Sequence, residues 1–113
     1  AALAQGAAQA ALHGDAAEIL ERSLGDVAAA VERYGIALQA DPSDARATAA
    51  LVRLAADPDA SEFATQTVRP VLEAHGGFAA LAQVLEARCR LTGDAAERLD
   101  ALRELAGIRY ERL

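Results

Sequence analysis

The sequence predicts an all-α fold of about six helices paired as antiparallel hairpins. Three observations carry that prediction. Apolar residues recur at spacings of three and four: Val27, Val31, Tyr34 and Leu38; Phe78, Leu81, Leu85 and Cys89; Leu99, Leu102, Ala106, Tyr110 and Leu113. Thirty-one of the 113 residues are alanine, the best intrinsic helix former. Breaks recur at Gly14-Asp15, Gly25-Asp26, Asp41-Pro42, Asp57-Pro58, Gly76-Gly77 and Gly93-Asp94, and no segment alternates as a strand. Glycine closes a helix in the left-handed conformation, and aspartate caps the next through its side-chain oxygen. Proline restricts the residue before it and fits a first helical turn.

Taken in order, these marks bound helices near 3–24, 26–40, 44–56, 60–75, 77–91 and 94–113. In the first, His13-Gly14-Asp15 is a potential break, since a mid-helix glycine costs roughly 1 kcal/mol relative to alanine. In the fourth, Pro70 is expected to kink the helix, because it lacks an N–H and crowds the preceding turn. The sixth is apolar on two adjoining faces, Leu99, Leu102, Ala106 and Leu113 on one and Leu105 and Ile108 on the other. That breadth suits a helix packed between neighbours. Connections of one to four residues make successive helices antiparallel.

The composition narrows the chemistry. The eleven cationic side chains are all arginine, the formal charge is −6, and no basic block exists, which argues against a nucleic-acid partner. No apolar run approaches the length of a membrane span, so no membrane insertion is expected. A single cysteine makes no internal disulfide, so the fold does not require an oxidising compartment. His13, His75 and Cys89 show no paired zinc spacing, and no metal or cofactor is expected. Cys89 continues an apolar stripe and reads as a small buried core residue. His75, before Gly76-Gly77, reads as a partner for helix C-terminal carbonyls, and His13 as a surface or capping residue. Gly76-Gly77 lacks the Lys-Ser/Thr of a phosphate loop. Glu18 with Arg22 and Glu86 with Arg90 stand four apart and read as local helix pairs. The arginines of the last two helices (Arg88, Arg90, Arg98, Arg103, Arg109 and Arg112) offer an anion-binding surface, but interspersed acids would neutralise much of it. No nucleophile–base or acid–base set can be named, so no enzyme activity is expected.

One stretch carries a resemblance. Gly25, Ala30, Tyr34, Ala37 and Pro42 have the residue types and spacing of a hairpin-turn glycine, a small residue, an aromatic, an alanine and a terminating proline. Residues 25–42 thus resemble the second half of a tetratricopeptide repeat. The first half fits less well, its usual bulky positions falling on Gly14 and Ala17 and its usual aromatic on Glu21. Gly107 and Tyr110 sit as a small residue and aromatic do in a first helix. "AEILERSL" (17–24) and "AGIRYERL" (106–113) also align, 89 residues apart, which spans five helices where hairpins come in twos.

The resemblance implies a solenoid of stacked hairpins, near 3–42, 44–75 and 77–113, forming one domain over 1–113 and expected to be a piece of a longer array. It implies a non-catalytic scaffold presenting a surface to a peptide or protein. Some relatives of this type clamp a terminal carboxylate with Lys and Asn; this chain has neither residue, so the clamp is not carried over. The groove-facing positions map to Leu12, Asp15, Ile19, Arg22 and Ser23 in the first helix. In the last they map to Ala101, Glu104, Ile108, Glu111 and Arg112. The alternative function is a structural spacer or self-assembling segment, using the last helix. That helix is expected to leave an apolar patch open around Tyr110, Leu113 and Ile108 or Ala106.

Overall fold

A computed structural model describes residues 2–112. It is all-helical, and no strand occurs among the described residues. The six helices are α1 (Ala2–Arg22), α2 (Val27–Ala40), α3 (Ala45–Ala55), α4 (Ser61–Ala74), α5 (Phe78–Leu91) and α6 (Ala95–Glu111). Their number agrees with the sequence reading, and their limits differ from it by about two residues.

The predicted stops work through local chemistry. Asp41 ends α2, and its carboxylate accepts bonds from the Ser43 N–H (3.1 Å) and hydroxyl (2.7 Å). Three residues later Asp44 starts α3 by accepting from the Arg46 N–H at 3.0 Å. Asp26 caps α2 through the Ala29 N–H, and Asp94 caps α6 through the Ala96 and Glu97 N–H groups. Each satisfies donors that a helix start leaves unpaired. Gly25 and Gly76 take φ of +67° and +73°, the left-handed conformation that the turns after α1 and α4 require.

The two interior breakers do not break. α1 runs continuously through Gly14, and the Arg46 guanidinium of α3 lies where a side chain at Gly14 would go. From there it donates to the Ala11 carbonyl (2.9 Å) and the Asp15 carboxylate (2.8 Å). α4 likewise continues past Pro70, which stands on the exposed side of a helix running from Ser61 to Ala74.

Cross-helix contacts fix the packing directions. Gly6 lies against the Ala40 carbonyl and His13 meets Arg33, so α1 and α2 are antiparallel. Arg88 reaches Ser61 while Gly77 abuts Leu72, which makes α4 and α5 antiparallel. Thr92 bonds Glu97 while Glu86 pairs with Arg109, which does the same for α5 and α6. Helices two apart also touch, α2 with α4 and α3 with α5. The resulting body measures 42 × 32 × 14 Å. Its short dimension matches two helix layers, given axis separations of about 8–10 Å.

The core is built largely of small residues, including Ala10, Ala17, Ala30, Ala37, Ala47, Ala55 and Ala64. Tyr34, the aromatic of the repeat-like stretch, is its largest fully buried side chain, 1% exposed. Two expectations change. Cys89 is half-buried rather than a core residue, since the packed side of α5 is centred on Leu81, Val84 and Leu85. α6 buries only the Leu105–Ile108 side; Leu99, Leu102 and Ala106 face outward. Leu113 lies outside the described residues.

Candidate functional site

The surface candidates begin on α1, where the side chains that face inward are small. Ala10, Gly14 and Ala17 are buried, and the larger Leu12 and Ile19 point outward, 69% and 57% exposed. Asp15, Arg22 and Ser23 are exposed beside them. Asp15, Ile19, Arg22 and Ser23 line one open depression together with Glu18. The five first-helix positions thus share one outward side of α1, aliphatic along its length and charged at its edges.

That side is braced from α3. Arg46 bonds Asp15 at 2.8 Å and lies 3.6 Å from Glu18. About two helical turns further along, Arg53 grips Glu21 with two bonds of 2.6 and 2.9 Å. The Tyr34 hydroxyl donates to the same Glu21 carboxylate at 3.4 Å. Bonding to Arg53 holds the Glu21 carboxyl below its ordinary value, against the opposing effect of its partial burial. Burial is the main cause that raises the Tyr34 phenol, with the nearby Glu21 and Glu18 charges adding to it. Arg46 and Arg53 are raised, each chiefly by the carboxylate it bonds.

The five last-helix positions separate. Ala101 and Glu104 line a cleft of about 260 Å³ between α4, α5 and α6, where Glu104 pairs with Arg69. Ile108 is buried and packs inward. Glu111 and Arg112 lie at the end of the helix, with the Arg112 guanidinium 5.0 Å from the centre of the Phe78 ring. The outward side of α6 instead presents Leu99, Leu102 and Tyr110, the last 92% exposed.

The arginines engage one by one and do not gather into a shared anion surface. Arg88 donates to the Ser61 hydroxyl and Arg98 to the Thr92 carbonyl, while Arg109 pairs with Glu86. The local pairs read from the sequence are replaced by cross-helix ones. Glu18 faces Arg46 rather than Arg22, and Arg90 bonds the Glu86 backbone carbonyl at 3.4 Å. The signal was present in the numbering: Asp15–Arg46 and Glu21–Arg53 are 31 and 32 residues apart, one hairpin length. The His13 ring lies 3.0 Å from the Arg33 guanidinium of α2. His75 is the α4 C-cap, exposed, its backbone N–H bonding the Val71 carbonyl.

Among the described residues no group of three or more His, Cys, Asp or Glu side chains converges as a metal site. No described helix is long and apolar enough to cross a membrane. No protein-family model, no curated protein and no solved structure matches this chain.

Proposed function

We propose that the chain is a non-catalytic interaction scaffold, a tetratricopeptide-like stack of helical hairpins that holds a peptide or protein partner on the outward side of α1. The observation that carries this reading is a recurring offset between helices two apart. Asp15 meets Arg46 and Glu21 meets Arg53, 31 and 32 residues on. Gly35 abuts Thr67, and Arg69 pairs with Glu104. Each link joins helices of equivalent place in successive hairpins, at separations close to the 34-residue tetratricopeptide period. Stacked hairpins of this kind expose an extended surface whose side chains are free to meet a partner. Leu12 and Ile19, outward on a helix held firmly from behind, supply the apolar anchors, and Asp15, Arg22 and Ser23 the polar edge.

A second reading is favoured by one feature. The outward stripe of Leu99, Leu102 and Tyr110 on α6 suits self-assembly, as expected of a spacer segment.

Two measurements separate them. Light scattering over a concentration series reports assembly, and cross-linking capture from a cell extract reports a heterologous partner. The scaffold reading expects a monomer whose captured protein is lost in the Leu12→Glu/Ile19→Glu variant at unchanged helix content. A mass that rises with concentration and falls back in Leu102→Gln/Tyr110→Gln assigns the assembly role instead. Capture unaffected by the α1 substitutions removes the proposed surface.

A further inference from the structure

A third pocket lies where the first turn of α2 meets the α3–α4 connection. It encloses about 250 Å³ over an apolar floor of Val27, Val31, Ala60 and Phe63, with Asp57 and Asp59 at its rim. Phe63 is 38% exposed there, a large aromatic ring left partly open. Neither rim carboxylate forms an ion pair among the described residues, and no arginine lines the pocket. The Arg53 guanidinium, whose charge is also felt by Asp57, is bonded twice to Glu21.

The sign of the local field follows from magnitudes. Two helix N-termini, of α2 and α4, each bring roughly half a positive charge. The C-terminus of α3, immediately before Asp57, brings about half a negative one. Against this remainder stand whole carboxylates on Asp57 and Asp59, and on Asp26, which caps α2 beside Val27. The pocket is therefore anionic over an apolar floor.

We infer that this pocket receives an arginine side chain of a partner peptide, independently of the α1 surface. The methylene stem would cover Val27 and Ala28, the guanidinium would lie on the Phe63 ring, and its N–H groups would donate to Asp59. A planar cation suits an aromatic face and a carboxylate at once, which a neutral side chain of the same length does not. The chain's net charge of −6 favours approach of a basic partner.

The test uses the intact chain and two tripeptides, acetyl-Leu-Arg-Leu-amide and its citrulline counterpart, which is nearly isosteric and uncharged. Amide chemical shifts are followed by NMR during titration. The arginine peptide should shift Val27, Asp59 and Phe63, with affinity about tenfold above the citrulline peptide. Asp59→Asn, whose side chain makes no bond among the described residues, should remove most of that difference while leaving the spectrum of a folded protein. Equal binding of both peptides, shifts confined to α1 or α6, or no shift at millimolar peptide would overturn the inference. So would the same amides shifting with protein concentration alone, since the occupant would then be a second copy of the chain.

Discussion

Replacing Tyr34 by alanine tests the packing where sequence and structure agree most closely. The side chain is 1% exposed and sits among alanines, with Ala30 and Ala37 on the same side of α2 and Glu21 of α1 at its hydroxyl. An aromatic of this kind removes about 150–250 Å² from water, worth roughly 4–6 kcal/mol at about 25 cal/mol per Å². Compactness of the unfolded chain lowers this by some 10–40%, and the residual cavity restores part of it. Tyr34→Ala should therefore cost about 3–5 kcal/mol. The hydroxyl contributes far less, because its bond to Glu21 is long at 3.4 Å, and Tyr34→Phe should cost only about 0.5 kcal/mol. Urea denaturation followed by circular dichroism at 222 nm measures both. A loss below about 1 kcal/mol for Tyr34→Ala would mean that the α1–α2 seam is not organised around this ring. A larger loss for Tyr34→Phe than for Tyr34→Ala would mean that the hydroxyl network, rather than packing, holds it.

Glu21 has a folded pKa below its ordinary 4.5, so its ionised form stabilises the native state; that stability is present above pH 4.5 and is lost as pH falls through the folded value. Glu21→Gln should cost about 1 kcal/mol at neutral pH, discounted because Arg53 is half-exposed, and should flatten the stability profile below pH 4.5. A methyl group on Gly35 would lie 2.5 Å from Thr67 Cγ2, so Gly35→Ala should destabilise by about 1–2 kcal/mol, and Thr67→Ser in the same chain should recover part of it. Gly107 has open space around it, so Gly107→Ala should instead stabilise by up to about 1 kcal/mol, as thermal denaturation would show. Leu102→Gln with Tyr110→Gln should leave stability within about 0.5 kcal/mol while lowering any self-association seen by sedimentation.

The helix limits were legible because their causes are local. A cap needs one aspartate within three residues of the donor, as Asp26, Asp44 and Asp94 show. What the sequence withheld depends on which surface faces which. Glu18 and Arg22 stand at favourable helical spacing, yet a local pair of that kind contributes only about 0.2–0.5 kcal/mol. Glu18 faces the Arg46 guanidinium at 3.6 Å, and that same group satisfies Asp15 and the Ala11 carbonyl. Gly14 looked like a helix break for the same reason: its purpose is to leave room for a side chain 32 positions away. Cys89 continued an apolar spacing, but α5 is turned so that Val84 and Leu85 take the buried side.

The orientation of α1, with the mapped positions Leu12 and Ile19 outward, has the largest consequence. A reading by bulk would turn Leu12 and Ile19 inward, since burying such a side chain is worth about 1.5–3 kcal/mol. The fold instead buries Ala10, Gly14 and Ala17 and leaves both aliphatics outside. Small side chains let the backbones of α1 and α2 approach, as the contact of Gly6 with the Ala40 carbonyl shows. Close approach yields many weak dispersion contacts along a long helix in place of two strong ones. The carboxylates Asp15 and Glu21 then meet the α3 arginines, which a helix rotated to bury Leu12 would carry out of reach. The same choice leaves several kcal/mol of unspent apolar burial on the outward side of α1. A partner covering Leu12 and Ile19 would gain that free energy without any rearrangement of the helix that presents them.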